Sequence, residues 1–509
     1  MKKLIILVLT LVFAGVLSSC VLPGGGSGTD DADFLTVQEL IDMASKNTST
    51  GPGSEDFEVT GTPNFNVPAA GYDGSKVTLS FYHTMGQNLR DVLDAYIIEF
   101  NKLYPNITIE HKQVGGYDDV RDQISTELTV GNQPNIAYCY PDHVALYNLA
   151  GKVVTLDNLI DSKIEVTRAD SSKEVLGLTA EQKADFIQGY YNEGRQFGDG
   201  LMYTMPLSKS TEVLYYNKTF FDTNEIPVPD HWFSTSETDT TSLEAVCQKI
   251  LTIDPDSIPL GYDSESNLFI TMCEQLGSDY TSATGDHFLF DNAANKTFCK
   301  IFRNWYSQHW MTTQTLFGAY TSGLFVSDTA PRSYMSIGSS AGATHQRPAK
   351  VDGAYPFEVG IAEIPQMNAN NKKVISQGPS LCIFEASEQE VVASWLFVKF
   401  LTTSIEFQAE FSMASGYVPV LKSVGENEIY KTEFLDKANG GDYIAALSAK
   451  VCLAQESAYY TSPAFNGSST ARDQVGELLT KVLSATTSTP NKMINESFRD
   501  AIDECEFYS

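Results

Sequence analysis

From Val77 the chain alternates: Val77, Leu79 and Phe81 are apolar, Thr78 and Ser80 polar. A period of two predicts a strand. Gly86 punctuates it. Leu89, Val92, Leu93, Tyr96, Ile97, Phe100 and Leu103 then recur at helical spacing until Pro105 stops the run. Ile107 and Ile109 open a second strand, and Val120, Ile124 and Leu128 mark a second helix closing near Gly131. Ile136 to Tyr140 predicts a third strand, with a helix from about Asp142. Strand, helix, strand, helix, strand argues for a parallel-rich sheet with helices on both faces. Ligands of such sheets bind in the loops beyond the carboxyl ends of the strands. Here those loops begin at Tyr82-His83, Gly115-Gly116-Tyr117 and Pro141-Asp142.

The later chain keeps this style. Val213–Tyr216 and Tyr334–Ile337 predict strands; Leu243–Leu251, Val391–Leu401 and Gln474–Leu483 predict helices. Phe298, Ile301, Phe302 and Trp305 share one helical face, and Trp305, Trp310 and Trp232 read as structural. At 509 residues the chain exceeds one ordinary core, and no long linker interrupts 76–509. Two α/β lobes in close contact are expected.

Before Val77 the pattern differs. Met1-Lys2-Lys3 precedes an apolar run from Leu4 to Leu17, then Ser18, Ser19 and Cys20. The run is short for a membrane span and reads as a secretory signal peptide over 1–19. Leu17-Ser18-Ser19-Cys20 resembles a bacterial lipobox, which implies cleavage before Cys20 and lipidation of its thiol. The plainer alternative is a signal peptide with a chance cysteine. Residues 20–75 then form a lipidated tether, rich in Gly, Pro, Ser and Thr, with a short helix over Phe34–Ala44 and Thr36 as its cap. The expected place is the outer face of the cell membrane.

Composition narrows the function classes. Apolar residues are 42% and charged residues 19%, a globular balance. The formal charge of −30 repels phosphate backbones and argues against nucleic-acid binding. After Cys20 seven cysteines remain, unevenly spaced and without a CxxC pattern, so they read as small buried hydrophobes, with one or two disulfides as the open alternative. No metal or organic cofactor is implied, because HExxH, P-loop and GxGxxG patterns are missing. Gly338-Ser339-Ser340-Ala341-Gly342 satisfies G-x-S-x-G after an apolar strand, which makes Ser340 a candidate hydrolase nucleophile. The only later histidine is His345, five residues on, so the Ser–acid–His order fails.

A series of segments carries a family resemblance. Thr78–Gly86, Phe100–Pro105 and Tyr117-Asp-Asp come first; Met205–Lys218, Met335–Gly342, Val359–Pro365, Gly378-Pro-Ser-Leu, Ala393–Leu401 and Ser415–Val420 follow in order. Over about 76–505 the chain resembles the family 1 extracellular solute-binding proteins, the capture subunits of ABC importers. Its nearest likeness there is to glycerol-3-phosphate-binding and related sugar-binding proteins. The resemblance implies a type II two-lobe periplasmic-binding-protein fold, lobe one over 76–212 plus 358–412 and lobe two over 213–357 plus 413–509. Three strands would cross near 213, 357 and 413. It also implies a monomer that binds a small carbohydrate between the lobes and delivers it to permease subunits, without catalysis.

The implied cleft positions are Tyr117, Asp142, Ser210, Ser339, Gly378, Tyr417 and Arg472; Tyr82 and His83 would face the cleft after the first strand. Aromatic faces stack on sugar C–H groups, carboxylates accept from hydroxyls, and serines do both. With 25 tyrosines a given one is more often packing than pocket, and His83 has an ordinary reading as a structural residue. The phosphate binders carry an arginine near Arg472, but Tyr459–Phe465 lacks the expected basic residue. A neutral sugar or oligosaccharide is therefore favoured over a polyol phosphate.

Overall fold

The computed structural model describes residues 34–49, 58–439 and 444–508. The signal peptide 1–19, Cys20 and the stretch 21–33 lie outside the described residues.

Fourteen strands are described: β1 (Val77–His83), β2 (Ile107–Gln113), β3 (Ile136–Cys139), β4 (Glu165–Thr167), β5 (Lys173–Val175), β6 (Met205–Pro206), β7 (Ser210–Asn217), β8 (Leu260–Tyr262), β9 (Met311–Thr313), β10 (Met335–Ser339), β11 (Val359–Ala362), β12 (Val374–Gln377), β13 (Ser380–Ile383) and β14 (Tyr459–Tyr460). One sheet runs β2-β1-β3-β13-β6; the other runs β14-β12-β7-β10-β8-β9, with β11 also on β7. β1 pairs in parallel with both β2 and β3, as the βαβ pattern requires. Each sheet is the centre of one lobe of a two-lobe α/β fold.

Local chemistry explains the elements. Thr36 caps helix Val37–Lys46 in a capping box with Glu39, at the position its sequence suggests. Helix Gln87–Leu103 buries Leu89, Leu93, Tyr96 and Phe100, spaced for one face. Pro141 opens helix Pro141–Asn148, and Gly131 at φ 72° closes helix Tyr117–Val130. Trp232, Trp305 and Trp310 are buried, and the seven described cysteines are free and buried.

Two expectations are corrected. β1 extends through His83, so Tyr82 and His83 lie in the strand opposite Lys112 and Gln113 rather than in a loop. The lobe boundaries also move. β7 begins at Ser210, and the segment expected in lobe one after 357 instead supplies β11 and β12 to the second sheet. The reason is that β7 needs partners on both edges. β10 covers one edge beside Glu212–Tyr216; β12 and β11 share the other, beside Ser210–Thr211 and Leu214–Asn217.

The sheets are joined where three segments meet. The chain leaves β6, passes Lys209 and enters β7; it returns from β12 through Gly378 to β13. Val418 exchanges backbone hydrogen bonds with Lys209 at 3.0 and 2.6 Å. The third segment thus lies near 418 rather than 413; beyond it, Leu421 still bridges to Phe186. Lys209 is fully buried at this junction. It pairs with Glu193 at 2.6 Å and donates to Ser380 Oγ at 3.1 Å and the Gly378 carbonyl at 3.2 Å.

Candidate functional site

Beside this junction a cavity of about 600 Å³ opens between the lobes. The loop after β2 and the end of β3 bring Tyr117 and Tyr140, stacked at 4.4 Å between ring centroids and 20° between planes. β7 supplies Ser210 and Glu212, and β10 supplies Ser339 at its carboxyl end. Gly378 and Tyr417 come from the other two junction segments. Five residues singled out in the sequence, Tyr117, Ser210, Ser339, Gly378 and Tyr417, therefore share one wall system.

Asp142 and Arg472 line a smaller chamber of about 70 Å³, which shares Tyr140 and Gln377 with the main cavity. Tyr82 and His83 line neither. Tyr82 lies under Lys112, 5.1 Å from its ring, and its hydroxyl points to Glu127. His83 is wholly buried, with Nε2 2.8 Å from His111 Nδ1 and Nδ1 accepting from the Met85 N–H. Those bonds put its proton on Nε2. Burial, then the neighbouring His111 and Arg90, push its pKa down to about 3, so it is a neutral core residue.

Electrostatically the main cavity is acidic. Glu212 Oε1 accepts from Asn267 Nδ2 at 2.9 Å, and Oε2 accepts from the Tyr262 hydroxyl. Arg472 donates to Asn267 Oδ1, which completes a chain from the small chamber to the main one. Burial nevertheless raises the Glu212 carboxyl to about 7, because its hydrogen bonds offset only part of the desolvation. Asp263 is also raised by burial, although Thr321 N–H and hydroxyl both donate to it at 2.7 Å. Burial lifts the Tyr117 hydroxyl well above the usual phenol range, and the adjacent Tyr417 adds to the shift.

Ser339 donates to Ser210 Oγ at 3.2 Å and accepts from the Ala341 N–H, starting a 3₁₀ turn over Ser340–Gln346. That turn speaks against Ser340 as a hydrolase nucleophile. Its hydroxyl has no exposed surface, accepts from the Thr211 N–H at 3.2 Å and faces Cys452, while His345 is exposed. A nucleophile elbow would present the serine outward.

Glu212, Asp263, Asn267, Tyr140 and Gln377 line the cavity without having been singled out in the sequence, and so does His345, which the sequence raised only as a hydrolase partner. Glu212 did carry a signal: an acid one residue before the apolar run Val213-Leu-Tyr-Tyr is positioned to be buried at a price in desolvation. Asp263 and Asn267 sit around the start of helix Glu265–Leu276, and nothing in their local sequence marks them.

Comparison with known proteins adds the following. Residues 95–435 match a family described as bacterial extracellular solute-binding protein. No curated protein matches the sequence. Among solved structures, the cyclic alpha-maltosyl-1,6-maltose binding protein of Arthrobacter globiformis is 17% identical at TM-score 0.61, over 84% of this chain and 100% of its own. UgpB of Mycobacterium tuberculosis, solved with glycerophosphocholine, is 15% identical at 0.61, over 85% and 98%. The substrate-binding protein Lmo0181 of Listeria monocytogenes, solved with cycloalternan, is 16% identical at 0.62, over 84% and 99%. At these identities the likeness is one of fold.

Proposed function

The chain belongs to the bacterial extracellular solute-binding proteins, and from that premise we propose that it captures a neutral sugar or oligosaccharide between its lobes for an ABC importer. One observation carries the choice of ligand. The cavity presents the stacked Tyr117–Tyr140 pair beside hydroxyl, amide and carboxyl groups, and the described residues lining it include no lysine or arginine. Its volume of about 600 Å³ falls in the range of roughly 300–1,000 Å³ typical of small-molecule sites. A polyol phosphate would meet Glu212 and Asp263, both wanting donors rather than another anion. Arg472 lines the small chamber and is engaged by Asn267.

In this reading the lobes are built on the two sheets and turn about Lys209, Gly378 and Val418. Ligand binds the open form and favours closure because only the closed form offers it both walls. The closed protein delivers its cargo to membrane permease subunits, with a lipid on Cys20 holding the monomer at the outer face. A structural neighbour named as a cyclic alpha-maltosyl-1,6-maltose binding protein and one solved with cycloalternan support the ligand class. The deciding measurement is a thermal-shift panel of mono-, di- and trisaccharides with glycerol-3-phosphate. At a hundredfold excess over Kd a bound ligand stabilises by about 2.7 kcal/mol. A neutral saccharide should raise the melting temperature; a response to glycerol-3-phosphate alone overturns the proposal.

A further inference from the structure

The small chamber beside the main cavity carries more polar capacity than the protein itself uses. Its volume is about 70 Å³, and it adjoins the main cavity at Tyr140 and Gln377. The first lobe supplies Tyr140, Pro141 and Asp142 to its wall; the second supplies Ile270, Ile375 and Arg472. Four more lining atoms, Thr281 Oγ1, Ser376 Oγ, Gln377 Oε1 and Ser462 Oγ, are buried without a hydrogen-bond partner in the described protein. A buried polar atom left unpaired costs about 1–3 kcal/mol. Four around one chamber mark a place shaped for a polar guest.

The two charged groups are just as open. Asp142, in the first turn of helix Pro141–Asn148, accepts only from the His143 N–H, at 3.0 Å. Arg472 donates only to Asn267 Oδ1, which leaves further guanidinium N–H groups to engage. Among the described residues no ion pair joins Asp142 to Arg472, although both line the chamber. Beside them Ile270 and Ile375 are buried and apolar.

This set selects the guest. A guanidinium wants an acceptor, a carboxylate wants a donor, and the isoleucines want an apolar end. A carboxylate or phosphate arm would meet Asp142 and the buried Glu193. A hydroxymethyl arm offers a single hydroxyl and no apolar end. An acetamido group holds all three parts in one plane: a carbonyl for Arg472, an N–H for Asp142 and a methyl for the isoleucines.

We propose that the small chamber is a subsite for the acetamido arm of an amino sugar, so that the captured saccharide carries an N-acetylated hexosamine. The subsite presupposes the capture of a sugar, proposed above, and names one of its substituents. With the sugar ring against Tyr117 and Tyr140, the arm passes Tyr140 into the chamber. There it joins a first-lobe acceptor to a second-lobe donor, and so favours closure as well as fit.

Calorimetric titration of the full chain with matched sugars tests this. The pairs are N-acetylglucosamine with glucose, N-acetylgalactosamine with galactose, and N,N′-diacetylchitobiose with cellobiose. Members of a pair differ only in acetamido against hydroxyl. At least one acetamido member should bind about tenfold or more tighter than its partner, which leaves buried polar groups unpaired. Two variants then place the arm. Ser462→Leu fills the chamber and removes no side-chain hydrogen bond. Asp142→Asn keeps its size and its bond to the His143 N–H, and puts an NH₂ in place of the second acceptor. Both should erase the preference and leave the hydroxyl partners' affinities nearly unchanged. Equal or weaker binding of every acetamido member by the parent overturns the subsite and leaves the sugar reading standing. A preference that survives in both variants also overturns it, because the arm then lies elsewhere. If no saccharide binds, the sugar reading fails and the subsite with it.

Discussion

Glu212 is 1% exposed, and its proton affinity makes stability depend on pH in a direction that can be worked out. Its carboxyl rises from 4.5 to about 7 on folding. Between those values the unfolded chain has released the proton while the folded one keeps it. Stability from this group is therefore complete below pH 4.5 and is lost as pH rises through 7, by an amount on the order of 3 kcal/mol. Glu212→Gln should make the difference in urea stability between pH 5 and pH 7 more favourable to pH 7 than in the parent. Identical differences in the two proteins would show that the carboxyl ionises normally. At the same scale, Tyr117→Ala should weaken saccharide binding about tenfold or more through loss of the stacked face. Unchanged affinity in a titration would remove Tyr117 from the ligand's path. Why these residues were differently legible is a matter of what marks them. Tyr117 and Tyr417 were found by motif position, whereas Asp263 and Asn267 become neighbours of Glu212 only through the pairing of β8 with β10. Tyr82 and His83 were misread because a strand's end decides which side chains leave the sheet, and alternation stops being informative after Phe81.

Among the elements, the junction segments carry the strongest constraints. Gly378 has φ +94°, and a Cβ there would stand 2.6 Å from the Ser208 carbonyl oxygen and 2.8 Å from Lys209 Cα. Its place on the cavity wall is thus first a backbone requirement. Gly378→Ala should destabilise the protein by about 1–3 kcal/mol, read as a lower urea midpoint; a midpoint equal to the parent's would mean that the junction yields. Beside it, the Lys209–Glu193 pair is buried on both sides, at 0% and 3% side-chain exposure. Removing one partner strands the other charge. Lys209→Met should cost about 3–5 kcal/mol, and adding Glu193→Leu should restore much of it. Failure of the double variant to recover would assign the loss to the bonds with Ser380 and Gly378 instead. The helices were largely readable, since burial on one face writes a 3.6-residue period into the sequence. The edge partners of β7 were not: a four-residue strand such as β11 has no period of its own, and only the pairing shows that 359–377 belongs with the second sheet.

For the whole molecule, the lobes meet directly across a seam: the Ala464 N–H donates to the Gln196 carbonyl at 2.9 Å, Tyr190 stacks on Tyr459, and Arg121 adds further contacts. It lies on the first lobe between Asp118 and Asp122, reaches Asp473 of the second lobe at 3.6 Å and donates to Ser469 Oγ at 3.2 Å. Arg121 does not line the cavity. Its removal should therefore act on the population of the closed form rather than on the ligand's contacts. Asp473 is half exposed, so the ion pair is screened and contributes at most about 1 kcal/mol, with a similar amount from the hydrogen bond. A loss of about 1–2 kcal/mol from the closed form alone lowers the competent fraction, and apparent affinity falls in proportion. Arg121→Ala should thus raise the dissociation constant of the best-bound saccharide roughly five- to thirtyfold. The melting temperature of the free protein should change little, because a half-exposed ion pair adds little to its stability. Added salt should narrow the gap between parent and variant, since it weakens the parent's ion pair and leaves the variant nothing to lose. Equal dissociation constants at low salt would mean that Arg121 contributes nothing to closure. The selectivity of the site would then rest on the cavity walls alone.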